Sequence, residues 1–342
     1  MQQQDRAPDQ AADRQPGGRV AVLALGGTIA MTRDASGGIA PSLSGADLVA
    51  AVPGLGEVAD VTVASPFQMP GASLGITHLI RVAAEIEAAL AAGAAGAVVV
   101  QGTDTIEETA FVLDCLLQVG APVVVTGAMR GAQAAGADGP ANLLASVSVA
   151  ASGARDTGVL VVLGDEVHAA RFVRKGHTGR PHAFTSAPFG PVGHVVEGRF
   201  QQQLRLPARP VFSLPPDAVP PPVALVQIGL GDDGRMLPAL PDLGYRGAVI
   251  AAMGAGHVPQ PVAGPLEALA AQMPVVLSTR VAEGPVFERT YGFEGSEIDL
   301  LRRGLVHGGG LGALKARLLL QLALADGTAS GEDLARIFRH YA

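Results

Sequence analysis

Three stretches place small, hydroxyl, carboxylate and ammonium side chains at spacings that suit chemistry. In Gly26-Gly27-Thr28-Ile29-Ala30 two glycines precede a hydroxyl. Paired glycines permit a tight turn and close backbone approach, which presents the Thr28 hydroxyl at a loop, as a nucleophile requires. Gly102-Thr103-Asp104-Thr105-Ile106-Glu107-Glu108-Thr109 places hydroxyls and a carboxylate behind another glycine. The third stretch runs from Gly164-Asp165-Glu166-Val167-His168 to Arg174-Lys175-Gly176-His177-Thr178 and is dense in ionisable groups. Within it Lys175 stands out, because an ammonium held beside a hydroxyl and a carboxylate can relay a proton.

Each stretch also has a plain structural reading. Gly26 and Gly27 turn the chain whatever follows, and a threonine after a turn often bonds its own loop or caps a helix. Thr105 with Glu108 fits a capping box, and Asp104 can serve as an N-cap. That assignment leaves Thr103 without a structural task and divides Asp104 between cap and contact to a substrate ammonium. Lys175 taken alone reads as a solvated surface lysine. Convergence favours chemistry, since all three stretches follow strands.

The elements that must position them alternate in type. Short β-branched runs at 20–25, 58–64, 97–101, 122–126 and 159–163 are separated by alanine-rich stretches of helical period at 46–51, 77–92, 105–119 and 140–152. Continuous apolar strands alternating with helices predict an α/β fold with a doubly wound, mostly parallel sheet. In such sheets, ligands bind beyond the carboxyl ends of the strands, where all three stretches fall. A Pro-rich segment at 201–222, with no amphipathic period, reads as an interdomain linker. Expected strands at 223–228, 248–253 and 274–277, with helices near 262–271, 311–324 and 331–340, form a smaller C-terminal α/β domain over 223–342. The N-terminal domain then spans 19–200, and residues 1–18, polar and rich in Gln, Pro and Gly, read as a disordered tail.

Composition narrows the function classes. A formal charge of -7 with scattered Lys and Arg argues against a nucleic-acid partner. Gly, Pro or charge interrupts every apolar run before the roughly 20 residues a membrane span needs, so no membrane association is expected. One cysteine, Cys115, rules out an intrachain disulfide and reads as a buried apolar side chain. A cytoplasmic protein is the expectation. No GxxxxGK[ST] pattern supports a phosphate cradle. His168, His177, His182 and His194 share one segment without a recognised metal-ligand spacing, so neither metal nor cofactor is expected. Arg130 and Asp138 read as a structural pair shaping the glycine-rich loop after the fourth strand.

GGTIA at 26–30, QGTDTIEETA at 101–110, GAMRGAQAAGADGPANL at 127–143 and RKGHT at 174–178, with GAGHVP at 254–259 and LKARLLLQLAL at 314–324, together resemble bacterial L-asparaginases in order and spacing. The resemblance covers the chain from Arg19 to its C-terminus. It implies that Thr28 attacks a side-chain amide, ammonia leaves and water releases aspartate from the acyl-enzyme, with Thr103, Asp104 and Lys175 activating water or nucleophile and moving protons. It implies asparagine as substrate, glutamine as an alternative, and a homotetramer of tight dimers, or a homodimer, with sites completed across subunits. The substrate would be held by Thr103, Asp104 and the segment containing Gly71 and Ser73, with Glu297 or Glu294 contributed by a neighbouring subunit.

The chain also departs from the family. Residues 31–50 contain no tyrosine, where members commonly carry one in the mobile loop. Gly71 stands at the position of a substrate-binding serine, leaving that task to backbone N–H groups or Ser73. His257 replaces a common asparagine. These differences surround the substrate side chain and bear on asparagine against glutamine preference more than on reaction type. A catalytically silent amino-acid-binding homologue is the reading from another class, since fold does not fix function. Retention of all four polar residues argues against it.

Overall fold

The computed structural model describes residues 17–27, 31–33, 39–41, 45–328 and 330–341. The first 16 residues of the expected tail lie outside this range, as does Thr28. Gly17 and Gly18, read as the end of that tail, instead begin the first strand, β1 (Gly17–Ala24).

Beyond β1 come a small antiparallel pair, β2 (Met31–Arg33) and β3 (Ile39–Pro41), two short helices, α1 (Gly45–Ala50) and α2 (Leu55–Val58), and then β4 (Ala59–Ala64). The alternation continues through α3 (Ile76–Ala91), β5 (Gly96–Val100), α4 (Ile106–Leu116), β6 (Val123–Thr126), α5 (Gly139–Ala150) and β7 (Val159–Leu163). Pro140 falls in the first turn of α5, where its missing N–H breaks no helical bond.

Next come β8 (Glu166–Ala169), the two-residue partners β9 (Arg174–Lys175) and β10 (Phe184–Thr185), β11 (Gly193–Val196) and β12 (Arg199–Gln202). The main sheet has the order β12-β11-β8-β7-β6-β5-β1-β4. Strands β4, β1, β5, β6 and β7 are parallel, as expected. The antiparallel additions β8, β11 and β12 were not anticipated from sequence, and β12 takes up residues 201 and 202 of the segment read as linker.

Every residue of β5, β6 and β7 is buried, whereas β4 at the edge alternates. Alternate side chains divide between two cores, as the period of two requires. Leu23, Val99, Val125 and Val161 face α3 and α4, while Val22, Val98, Val124 and Val162 face α5. The chain moves outward from β1 to β4 on one side and from β5 to β7 on the other. The topological switch therefore lies between β1 and β5, and the crevice beyond their carboxyl ends is where such sheets bind ligands.

The second sheet is parallel, ordered β13 (Val223–Gln227), β14 (Gly247–Ala252), β15 (Val275–Thr279) and β16 (Val306–His307). Its helices are α6 (Gln260–Ala270), α7 (Glu297–Arg302), α8 (Ala313–Ala325) and α9 (Gly331–Arg339). Helix α8 packs on β13, β14 and β15 and also on α4. One core joins Val99 and Val125 of the first sheet, Val249 and Val276 of the second and Leu319 of α8. No described helix is long and apolar enough to cross a membrane.

The stretch between the sheets is docked. Phe212 is buried and its N–H donates to the Cys115 carbonyl at 2.8 Å. Arg209 Nε lies 2.7 Å from Asp114 Oδ1 on α4, whose Oδ1 also accepts the Val159 N–H at 2.7 Å. Burial pushes the Asp114 carboxyl above the ordinary carboxylate range, and the Arg209 charge is the main force opposing that rise. Cys115 is buried as expected, its thiol pushed up to about 12 by burial and the neighbouring Asp114 charge.

Arg209→Met should strand the Asp114 carboxylate and cost about 3–5 kcal/mol of stability in chemical denaturation, with part of the loss recovered by adding Asp114→Asn. An unchanged unfolding midpoint would mean that the docking contributes nothing.

Candidate active site

Three loops leave the carboxyl ends of β1, β4 and β5 and meet through glycines. Gly26 and Gly27 have φ of 102° and 98°, a region L side chains rarely adopt. A Cβ on Gly27 would lie 2.0 Å from the Gly102 nitrogen, and one on Gly26 would lie 2.7 Å from the Met69 carbonyl oxygen. From the third side, a Cβ on Gly71 would come within 2.9 Å of the Gly102 carbonyl oxygen. The loops touch backbone to backbone, leaving no room for a side chain at any of these contacts.

A hydrogen-bond relay closes the junction. Gln101 Nε2 donates to Thr105 Oγ1 at 3.1 Å, and Thr105 Oγ1 donates to the Gly71 carbonyl at 2.9 Å. Thr105 occupies the N-cap of α4 but makes no side-chain cap bond, so the expected capping box with Glu108 is not formed. Asp104 is not the cap either. It lies in the 3-10 turn Thr103–Thr105, its side chain 69% exposed and its Oδ1 taken up by Lys175.

Lys175 converges on that turn from β9. Its Nζ donates to Thr103 Oγ1 at 2.9 Å and to Asp104 Oδ1 at 3.0 Å. Thr103 is buried and the Lys175 side chain only 16% exposed, which sets the ammonium at the wall of the crevice. A hydroxyl that accepts from an ammonium is left with its own proton to donate outward, toward whatever occupies the crevice. The Lys175 N–H donates to Glu107 Oε2 at 3.1 Å, so α4 holds the backbone of this lysine while Thr103 and Asp104 hold its tip. Burial pushes the Glu107 carboxyl up, opposed chiefly by the charge of Lys315.

Thr103, Asp104 and Lys175 are thus brought together, Gly71 packs at their side, and Ser73 is exposed in the turn Gly71–Ser73. Arg130 and Asp138 make no side-chain pair. Asp138 accepts from the Met129 and Arg130 N–H groups, both at 2.9 Å, while Arg130 bonds the Gly136 carbonyl. His168 Nδ1 lies 2.9 Å from Ser186 Oγ, a buried structural contact. Among the described residues, no group of three His, Cys, Asp or Glu side chains is placed to hold a metal ion.

Glu297 belongs to a separate cluster in the second domain. It is fully buried at the start of α7, Oε1 accepting the Tyr291 N–H at 2.7 Å and the Thr290 N–H at 3.0 Å, Oε2 lying 3.1 Å from His257 Nε2. Burial works against its charge, but the backbone donors led by Tyr291 outweigh it and hold the carboxyl below the ordinary range. The His257 ring packs edge-on against Tyr291 and Phe293, both substantially exposed. Glu294, the other acidic candidate, bonds Gln260 Nε2 at 2.7 Å on the surface.

Sequence reasoning missed Glu107 and Lys315. Lys315 lies in the apolar run of α8, in register with Leu318 and Leu319, and a charge on a buried face was a usable signal.

Known proteins share this architecture. The family described as asparaginase, N-terminal, matches residues 19–207, and the glutaminase/asparaginase C-terminal domain matches residues 222–338. The "Probable L-asparaginase" of Deinococcus radiodurans is 38% identical over 331 residues, 94% of this chain and 97% of that protein. The L-asparaginase of Bacillus licheniformis is 33% identical over 312 residues, 90% of this chain and 96% of that one. Among solved structures, the probable cytoplasmic L-asparaginase from Campylobacter jejuni superposes with a TM-score of 0.87 at 31% identity, covering 95% of this chain and 100% of that one.

The glycine junction makes a comparative prediction. Gly93 has φ of 94° and open space where a Cβ would stand, so Gly93→Ala bears only the backbone cost, roughly 1–2 kcal/mol. Gly27→Ala adds overpacking against Gly102 and should lose a further 1–3 kcal/mol or so in thermal or urea unfolding. Equal losses at the two positions would refute the tight junction.

Proposed function

The chain belongs to the asparaginase family and is an amidohydrolase, and from that premise we propose that it hydrolyses L-asparagine to L-aspartate and ammonia with Thr28 as nucleophile. The observation that supports this most is the Lys175 ammonium bridging Thr103 Oγ1 and Asp104 Oδ1 beside the glycine turn that leads into Thr28.

In this reading, Thr28 Oγ forms a bond to the side-chain carbonyl carbon and its proton passes to the departing nitrogen, which leaves as ammonia. Water then adds across the ester, returning a proton to Thr28 Oγ and releasing aspartate. Thr103 presents its hydroxyl proton to the reacting groups, and the Lys175 ammonium stabilises the Thr103 oxygen as that proton moves. Asp104, exposed at the crevice, pairs with the substrate ammonium, a contact strengthened by its ionised partner. The substrate carboxylate falls to backbone N–H groups and Ser73 in the Gly71–Ser73 turn. Thr28, Ile29 and Ala30 lie outside the described residues.

A broader glutaminase-asparaginase is the second reading, favoured by one feature: residues 31–50 carry no tyrosine, where members of the family commonly have one in the mobile loop. The ratio of kcat/KM for the two amides separates these readings.

Assembly into a homotetramer or homodimer fits the exposed Tyr291 and Phe293, and Glu297, fully buried with both oxygens engaged in its own chain, acts there by holding His257 and not by reaching a neighbour's site. A cytoplasmic location is the accompanying proposal.

Thr28→Ala should abolish ammonia release while leaving the thermal midpoint within a few degrees, and Lys175→Met should lower kcat by about 10²–10⁴-fold. Asparagine binding in calorimetry by a wild-type protein that releases no ammonia would instead favour the silent homologue. In sedimentation a multimer is expected, and a stable, fully active monomer would exclude a site completed across subunits.

A further inference from the structure

The ammonium of Lys315 is buried at the boundary between the two domains. Its side chain leaves α8, which belongs to the second sheet, and enters the first domain beneath the turn between β8 and β9. There Nζ donates to the Ala170 carbonyl at 2.8 Å, to the Arg171 carbonyl at 3.2 Å and to the Val173 carbonyl. An ammonium has three donors and no acceptor, so these carbonyls use its full capacity.

Such a placement is costly. Lys315 is 7% exposed, and burial pushes its ammonium down to about 8, against the partly compensating charge of Glu107. A methionine or leucine would fill the space without desolvating a charge, so packing does not explain the lysine. Residues 170–172 form a turn between two strands, and buried carbonyls need partners. Lys315 supplies one partner for the carbonyls of Ala170, Arg171 and Val173.

Val173 stands two residues before Lys175, a span of roughly 7 Å of extended chain, with little slack between the anchored carbonyl and the ammonium in the crevice. Arg174, between them, is also tied to the second domain, donating to the Ala282 carbonyl and lying 3.6 Å from Glu283. Resting on the amidohydrolase reading above, we propose that Lys315 is a positioning residue, through which helix α8 sets the turn 170–173 and so fixes the Lys175 ammonium against Thr103 and Asp104.

The test is a double-mutant cycle on the full-length protein, with ammonia release from asparagine as one readout and hydrogen exchange as the other. Displacing the lysine strand by about 1 Å should lower kcat roughly 10²-fold in Lys315→Met, with KM changed less than about threefold. In a Lys175→Met background the same substitution should remove less than about threefold more, because its effect runs through Lys175. Amides of residues 170–176 should exchange at least about tenfold faster in Lys315→Met, with β5 and β6 unchanged. If Lys315→Met does not fold, Lys315→Gln takes its place, and the same pattern at smaller size is expected. Equal proportional losses in both backgrounds, or a folded variant with unaltered kcat, would overturn the proposal. Should the wild-type protein release no ammonia, the amidohydrolase reading fails on its own, and the exchange experiment still decides whether Lys315 sets the turn: unchanged exchange at 170–176 rejects it.

Discussion

Backbone meets backbone where the loops after β1, β4 and β5 converge, and the rest of the crevice is built on that contact. Strands in one sheet stand roughly 4.8 Å apart, so loops leaving neighbouring strands are ordinarily kept separate by their side chains. Here Gly27, Gly71 and Gly102 omit those side chains, and a Cβ on Gly27 would overlap the Gly102 nitrogen outright. The Gln101–Thr105–Gly71 relay then ties the loops by hydrogen bonds and diverts Thr105 from its expected cap. A local helix signal has yielded to a tertiary one, since the hydroxyl that would have capped α4 joins two loops instead.

Lys175 shows how a flexible side chain is given one position. A lysine stem has four rotatable bonds, and ordering it costs up to about 2 kcal/mol. Hydrogen bonds from a charged donor return roughly 1.5–3 kcal/mol each. Two at the tip, to Thr103 and Asp104, outweigh that entropy, although exposure of Asp104 discounts the second. At the backbone, Glu107 accepts the Lys175 N–H. The lysine is held at both ends, by residues of one turn and the helix that follows it.

Much of this was legible in sequence, and what was hidden was hidden for identifiable reasons. Strands β1, β5, β6 and β7 announced themselves as continuous apolar runs because both faces are buried. By contrast, β8, β11 and β12 read EVHA, GHVV and RFQQ, too short and too mixed for a period of two to register, and only their pairing makes them strands. The Pro-rich stretch disclosed its extended backbone but not the docking of Arg209 and Phe212. Thr103 and Asp104 were marked by a glycine turn at a strand end. Glu107 and Lys315 act across separations of 68 and 142–145 residues, and within their own helices they look like a surface acid and a stray charge.

The absent side chain at Gly71 bears on how this crevice can be altered. Introducing a serine there looks like a one-atom-group change, yet its Cβ would press to 2.9 Å of the Gly102 carbonyl, whose own nitrogen already crowds Gly27. Residue 71 is therefore not an independent dial for the pocket. The three glycines form a single unit, and a side chain gained at one of them must be met by a re-spacing of the loops at the others.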